Sequence, residues 1–291
     1  MKKTLLVLAL ALLGVSACPF KALADEVAEK DELGLSIEVG ADVVTSYLWR
    51  GYNLGGLSVQ PSFTLDWRGW YVSAWASMGA LTWRFEEFSP ELDVTVGYAN
   101  HGFALDLTHL YYFYGDSYFA GLEDANNDSY STMEVHAGVD FSEWNENLPL
   151  TVDWYTTVLG NDPVLDEEGN FELNKNGNAK RAYSTYIELG YDIYLPLDIV
   201  LGLKLGFTPW KGMYSDYSEV WTSGSTVGIN NINLRAEREF ELDNWSISVW
   251  GEAMFNCYGV NKNNIINTFG NAASQKLNAC IGVGIYYGNE W

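Results

Sequence analysis

The sequence predicts an all-β protein, a transmembrane antiparallel β-barrel of about twelve strands with short periplasmic turns and longer extracellular loops. Apolar and polar residues alternate with a period of two along most of the chain. Short and long connections follow one another between these segments, and aromatic residues flank the short ones. After Val15 no stretch is apolar enough for a membrane-spanning helix.

The alternation is clear in residues 57–70, LSVQPSFTLDWRGW. One set of alternate positions is apolar and the other is polar or charged: Leu57, Val59, Pro61, Phe63, Leu65 and Trp67 against Ser58, Gln60, Ser62, Thr64, Asp66 and Arg68. Similar segments are 35–43, 70–78, 91–98, 103–108, 133–141, 150–155, 183–193, 199–207, 227–240, 245–256 and 277–287. Pro61 cannot donate a ladder hydrogen bond, so we expect a bulge there.

The connections support a barrel that crosses a membrane. The short ones contain Arg68-Gly69, His101-Gly102, Pro196 and Asp243-Asn244, whereas the long ones cover roughly 114–130, 160–181, 211–226 and 257–274. An even number of strands then leaves both termini on the periplasmic side.

Alternation alone does not say which face points outward, because a soluble barrel also alternates, with its apolar face inside. Here aromatic residues stand beside the short turns, as in Trp67 and Trp70 or Phe240 and Trp245, which is typical of the bilayer interface. We therefore predict that the apolar face contacts lipid and the polar face lines the lumen.

The first residues predict export. Lys2 and Lys3 precede a short apolar run, and Ala22-Leu23-Ala24 forms a small-residue cleavage pattern, so residues 1–24 read as a signal peptide. Val15-Ser16-Ala17-Cys18 is the alternative, a lipoprotein site with Cys18 as the lipid-bearing residue. Residues 25–32 then form a short periplasmic lead-in and residues 33–291 the barrel, in the outer membrane of a Gram-negative bacterium.

Charge and cysteine content narrow the possible partners. The formal net charge of −22 makes nucleic acid an unsuitable partner. The expected partners are outer-membrane lipid, lipopolysaccharide and small hydrophilic solutes, with the oligomeric state left open. Cys257 and Cys280 fall on opposite faces of neighbouring predicted strands and out of register, so we expect two free thiols.

Residues 43–75 resemble the start of the TorF-type porins, a family of bacterial outer-membrane barrels. The family pattern of Ser-Asp-Tyr-x-x-Arg-Gly, then Pro, then Gly-aromatic-Tyr is matched by 45–51 (TSYLWRG), by Pro61 and by 69–71 (GWY). Ser46 stands where the family has Asp. The resemblance covers the first three strands; it implies a barrel and the name porin, and it carries over no site residue.

By alternation the lumen holds many more acids than bases. The residues predicted to line a pore are Asp42, Asp66, Arg68, Asp106, Glu134, His136, Asp140, Asp153, Glu188, Lys204, Arg235 and Glu252. Such a wall favours cations or neutral polar solutes if a water-filled path exists. The alternative is a network of ion pairs that fills the barrel and conducts nothing. A barrel of twelve strands is intermediate in size between small barrels, whose own side chains fill the interior, and large barrels, which leave a channel. The strand number therefore does not decide between the two alternatives.

Three functions remain open on sequence alone. The first is a porin-like channel for passive diffusion, with no catalytic residue, metal or cofactor. The second is a closed barrel that acts through its outer loops. The third is a lipid-edge hydrolase using His109 or His136; strict alternation points His109 at lipid, so we expect a bulge or a shifted strand there. Asp124, Asn126 and Asp128 resemble half a calcium loop, but Ser129 replaces the glycine that such a loop requires.

Overall fold

A computed structural model describes residues 33–79, 90–113, 122, 125, 131–164, 166, 170–214, 228–257 and 277–290. The predicted signal peptide, its cleavage site and the calcium-like positions 124, 126 and 128 lie outside these residues and stay predictions. Within the described part, no helix is long and apolar enough to cross a membrane.

Twelve of the fourteen strands in the described residues form one closed antiparallel barrel, which confirms the predicted fold class. The other two, β2 and β3, form a separate two-stranded sheet. The strands are β1 (Leu35–Val44), β2 (Tyr47–Trp49), β3 (Tyr52–Gly55), β4 (Ser58–Trp67), β5 (Trp70–Gly79), β6 (Glu91–Asn100), β7 (Phe103–Tyr112), β8 (Ser131–Asp140), β9 (Leu150–Gly160), β10 (Thr185–Leu195), β11 (Ile199–Thr208), β12 (Gly228–Leu242), β13 (Trp245–Asn256) and β14 (Leu277–Glu290).

The first and last strands close the barrel. Val43 of β1 is opposite Val59 of β4 on one side and Val283 of β14 on the other, and the ladder between β1 and β14 continues over the length of β1. Each barrel strand therefore has two hydrogen-bonded neighbours. Within the described strands no edge of the barrel sheet is left to face the hydrocarbon, where an unpaired backbone group costs about 2–7 kcal/mol.

Two-residue turns join several strands at one end of the barrel. Arg68 and Gly69 both have positive φ (54° and 87°), as do His101 and Gly102 (48° and 79°), which is the type I′ geometry whose twist matches the flanking strands. Arg68 is therefore wrongly predicted as a lumen residue: β4 ends at Trp67, and the Arg68 side chain is exposed in the turn.

Pro61 does not produce the predicted bulge. The pairs of β4 with β5 keep one register from Val59↔Met78 to Ser62↔Trp75, and only the positions around Pro61 are missing from the ladder. Pro61 thus removes a hydrogen bond without adding a residue. Bulges occur instead between Met133 and Glu134 in the pairing of β8 with β9, and beside Gly206 in the pairing of β11 with β12.

The outer face of the barrel is apolar and uncovered. Val96 is 51% exposed, Leu105 61% and Ile281 63%, and similar apolar side chains project from most strands around the barrel. Their alternate neighbours, such as Asp66 and Asp106, are buried inside. An apolar surface that encircles a closed barrel requires hydrocarbon around it, which places this chain in the bacterial outer membrane with its polar face inward.

Aromatic rings form a belt at the end that carries the two-residue turns. Trp70 contacts Tyr98 with ring centroids 5.0 Å apart, and Phe103 contacts Trp144 at 5.0 Å. Trp245 and Tyr287 pair at 5.1 Å in the same belt. Rings with an apolar body and a polar edge suit the headgroup region, so this belt marks the periplasmic interface.

A charge at mid-barrel should distinguish a lipid-facing from a water-facing surface. Val96→Lys should lower the free energy of unfolding in lipid vesicles by about 2–4 kcal/mol, because Val96 is exposed in the middle of β6. Leu242→Lys, at the periplasmic end of β12, should cost at most about 1 kcal/mol. If urea titrations gave an equal and negligible loss of unfolding free energy for Val96→Lys and Leu242→Lys, the outer face would not be in hydrocarbon.

Candidate functional site: a hairpin across the lumen

Residues 47–55, here named the lumen hairpin, fold back from the outer end of β1 into the barrel. Strands β2 and β3 meet at the turn Arg50-Gly51, in which both residues have positive φ (44° and 94°). The same Arg-Gly pair, flanked by aromatic residues, makes the periplasmic turn at 68–69. The segment that carries the TorF-like motif is therefore an independent hairpin, which alternation along β1 and β4 did not reveal.

Arg50 at the hairpin tip forms a buried ion pair with the barrel wall. Its Nη1 lies 2.5 Å from Glu134 Oε2 and its Nη2 lies 2.7 Å from Glu134 Oε1, a bidentate arrangement. Tyr214, from the loop after β11, donates to Glu134 Oε2 at 2.7 Å and also accepts from Arg50. Breaking a buried pair of this kind typically costs about 3–5 kcal/mol, because one charge stays buried without a counterion.

Aromatic rings enclose the Arg50 guanidinium. Its carbon lies 4.0 Å from the ring centroid of Tyr155 and 5.1 Å from those of Tyr186 and Tyr214. These rings belong to β9, β10 and the loop after β11, and each is almost fully buried. They add cation–π attraction of about 0.5–2 kcal/mol each and exclude water from the ion pair.

The hairpin also contacts other sides of the barrel. Asn256 of β13 donates to Gly51 O at 2.9 Å, and Asn53 donates to Asn278 of β14 at 3.3 Å. Tyr47 packs on Trp75 of β5 with ring centroids 5.4 Å apart. These three strands flank β1, the strand from which the hairpin departs, whereas Glu134 and Tyr155 at its tip belong to β8 and β9 on the far side of the barrel, so the hairpin crosses the lumen.

His136 lies below the hairpin between two carboxylates. Its Nδ1 is 2.6 Å from Asp106 Oδ2 and its Nε2 is 3.0 Å from Asp153 Oδ1. Tyr71 donates to the same Asp106 oxygen at 2.8 Å. The His136 ring stacks on Tyr155, with centroids 4.4 Å apart and an angle of 16° between the planes. Tyr155 therefore contacts both His136 and Arg50.

The remaining predicted wall residues face the interior in smaller groups. Lys204 Nζ lies 2.7 Å from Glu188 Oε1, and Arg235 bonds to Glu237 on its own strand. Glu252 accepts from Asn233 at 2.7 Å, and Asp42 accepts from Tyr286. The structure thus distributes the predicted acids along the wall rather than into one cluster.

Two predicted wall residues lie at the periplasmic end instead of mid-lumen. Asp140 is the last residue of β8, and its carboxylate accepts from the backbone N–H and the hydroxyl of Ser142 at 2.8 and 2.6 Å, which caps a 3-10 turn. Asp66 lies one position before the end of β4 and accepts from Gly69 N at 3.4 Å. Both carboxylates stabilise turns.

His109 stays on the outward-facing side of its strand, so neither the expected bulge nor a strand shift occurs. Its partners are Val94 on β6 and Met133 on β8, both in continuous register with it. His109 Nε2 lies 2.5 Å from Ser131 Oγ, and both side chains are buried. The polar pair is therefore shielded from lipid.

Cys257 and Cys280 are free thiols, as predicted. Cys280 is opposite Glu252, and Cys257 directly follows Asn256, the last residue of β13. Cys280 faces the interior and packs in a cluster with Val44 and Trp250, against which Leu48 of the lumen hairpin rests. Among the described residues, no group of three His, Cys, Asp or Glu side chains could hold a metal ion.

Comparison with known proteins gives distant structural similarity alone. No protein-family model and no curated protein matches the chain. The NanC porin aligns over 86% of this chain and 98% of its own, at 8% identity and a TM-score of 0.43. An outer-membrane channel from Pseudomonas putida F1 aligns over 88% of this chain and 94% of its own, at 11% identity and a TM-score of 0.42. The Salmonella typhi outer-membrane phospholipase aligns over 91% of this chain and 94% of its own, at 12% identity and a TM-score of 0.38. No site residue or solute is carried over from proteins this distant.

The native thiol of Cys280 offers a test of how the hairpin is held. In a Cys257→Ser background, Arg50→Ala or Glu134→Gln should raise the rate at which a water-soluble maleimide labels Cys280 by at least about tenfold, because the buried ion pair no longer holds the hairpin over it. Labelling is followed by mass spectrometry of the folded barrel.

Lys180→Ala is the matched control for that labelling. Lys180 and Glu172 form an exposed ion pair at 2.8 Å, of a kind that contributes at most about 1 kcal/mol. Its loss should leave Cys280 labelling unchanged. Equal labelling rates in Arg50→Ala, Lys180→Ala and the parent protein would contradict the assigned role of the Arg50–Glu134 pair.

Proposed function

We propose that this protein is an outer-membrane channel for passive diffusion of small hydrophilic solutes, with the lumen hairpin as its constriction. The observation that carries the proposal is a hairpin fixed across a lumen by a buried ion pair between its tip and the wall. A barrel that only needed filling could use wall side chains alone, as small barrels do. The hairpin makes the width of the path depend on where one segment lies.

Several wall aromatics lie over glycines of neighbouring strands. A Cβ on Gly282 would lie 2.1 Å from the Trp250 ring, and one on Gly206 would lie 2.5 Å from the Tyr186 ring. A Cβ on Gly40 would meet Tyr286 at 2.1 Å. These rings lie against the backbone of neighbouring strands, where a missing side chain makes space for them. We take the position of the Trp250 and Tyr286 rings against the wall as support for a path over a filled barrel.

The charge of the wall favours cations and neutral polar solutes. Interior acids outnumber interior bases among the described residues, and Glu188 and Glu134 use Lys204 and Arg50 as counterions. Asp42 and Glu252 instead accept from neutral partners, so each of them contributes negative potential to the lumen. A negative wall of low dielectric concentrates cations and repels anions.

The other functions have less support. The pair formed by Ser131 and His109 has the elements of a hydrolytic dyad, but an ester cannot reach a serine that is 0% exposed. We interpret it as a pair that satisfies two polar groups on the lipid side, and we propose no enzymatic activity. A closed barrel that acts through outer loops, for example by contact with lipopolysaccharide, predicts no conduction even when the hairpin is released.

Single-channel recording in planar bilayers with a salt gradient tests the channel. The folded protein should show small, cation-selective steps, and Arg50→Ala should give larger ones, because the hairpin tip loses its partner on the wall. Lys180→Ala, from the exposed pair, should behave like the parent. Silence from a folded parent and from Arg50→Ala would rule the channel out and favour a closed barrel.

Selectivity tests the acidic wall separately. Asp42→Asn together with Glu252→Gln removes two lumen charges that have neutral partners, so the cation preference in the salt gradient should fall. Glu172→Gln, which removes one negative charge from an exposed outer loop, serves as the control and should have a smaller effect. An unchanged reversal potential in the double variant would show that these acids do not set selectivity.

A further inference from the structure

We infer that His136 is a positioning residue that keeps the lumen hairpin in place through Tyr155, so that loss of a proton from His136 opens the path. This inference rests on the proposed channel function and adds a means of regulating it. In the described contacts, His136 touches neither the hairpin tip nor Glu134. Any effect of His136 on the hairpin must therefore pass through the Tyr155 ring, which lies against both His136 and Arg50.

The hydrogen bonds of His136 require the protonated ring. Asp106 and Asp153 are 2.6 and 3.0 Å from the two ring nitrogens. Ionised carboxylates only accept hydrogen bonds, so both bonds form only if both nitrogens carry hydrogen, as in imidazolium. A neutral ring would direct a lone pair at one of the two carboxylates, and that repulsion would turn the ring out of its present plane.

Tyr155 transmits the position of His136 to the hairpin. The nearly parallel stack at 4.4 Å fixes the Tyr155 ring, and the Arg50 guanidinium lies 4.0 Å from the centroid of that ring. Gly138 makes the arrangement possible, because a Cβ there would lie 2.8 Å from the Asp153 carboxylate and 3.0 Å from the His136 ring. If His136 turns, Tyr155 loses its support and Arg50 loses part of its enclosure.

Other charged groups face the same region and must be separated from His136 in a test. Asp106 and Tyr71 approach His136 from β7 and β5, and Asp153 and Tyr155 approach it from β9. Two ion pairs face the same region: Glu188 with Lys204, on β10 and β11, and Glu134 with Arg50, on the side of the hairpin. Asp162, in the loop after β9, has a pKa raised to about 6 by burial. Acid therefore affects Asp162 as well, whereas an alkaline scan is directed at His136.

The experiment is conductance of the folded full barrel from about pH 7 to about pH 10.5, the range in which a carboxylate-bound imidazolium loses its proton. The parent should open as pH rises. His136→Gln should be open already at the lower pH, with about tenfold higher open probability than the parent, and should show no further rise. The tenfold change corresponds to about 1.4 kcal/mol. His101→Gln, an exposed turn histidine, is the matched control and should titrate like the parent.

Labelling of Cys280 at constant pH in the Cys257→Ser background gives a second readout that does not depend on conduction. His136→Gln should raise the labelling rate as Arg50→Ala does, and His101→Gln should not. If Arg50→Ala opens the channel while His136→Gln labels and conducts like the parent, the inferred role of His136 is wrong and the proposed channel function is retained. If no variant conducts, both the channel function and its regulation by His136 are refuted. A parent pH profile that persists in His136→Gln also overturns the inference.

Discussion

The ion pair between Arg50 and Glu134 is the interaction on which the interior of this barrel depends. It joins the tip of the lumen hairpin to β8, and Tyr214 joins a second outer segment to the same carboxylate. Such a pair contributes little compared with well-packed apolar residues, yet breaking it is costly because one charge is left buried. It therefore serves to specify where the hairpin lies more than to stabilise the barrel, whose closed ladder of twelve strands is independent of it.

The membrane sets the constraint that makes this arrangement possible. Because the outer face must be apolar, the polar residues of each strand point inward, and they need partners there. Pairs within the wall, such as Glu188 with Lys204, satisfy some of them. Among the described residues, the ion-pair partner of Glu134 is Arg50, which the hairpin supplies. Glycines beneath Trp250 and Tyr286 keep the wall thin enough for the hairpin to enter.

Sequence alternation predicted the barrel well because a period of two is imposed on every strand by the same membrane. It failed where local geometry replaces alternation. Arg68 continues the polar parity of β4 but lies in a type I′ turn. His109 keeps the outward position that alternation gives it, and the expected bulge was unnecessary because Ser131 is its partner on the same side. The lumen hairpin was missed although Arg50-Gly51 between aromatic residues repeats the pattern at 68–69, a turn that was recognised. The partners of His136 depend on register between strands, which alternation within one strand does not specify.

A disulfide between the hairpin and the wall tests the central claim most directly. A Cβ on Gly51 would lie 3.5 Å from the Asn231 Cβ, within the range of about 3.5–4.5 Å that disulfides use. In a protein with Cys257 and Cys280 replaced by serine, Gly51→Cys with Asn231→Cys should form this bond under mild oxidation, despite a cost of about 1–2 kcal/mol for a cysteine at the positive φ of Gly51. When Arg50 is then replaced by alanine, the cross-linked barrel should keep the small conductance steps of the parent protein. A folded double variant whose two thiols stay reactive and unlinked would show that the hairpin does not lie across the lumen.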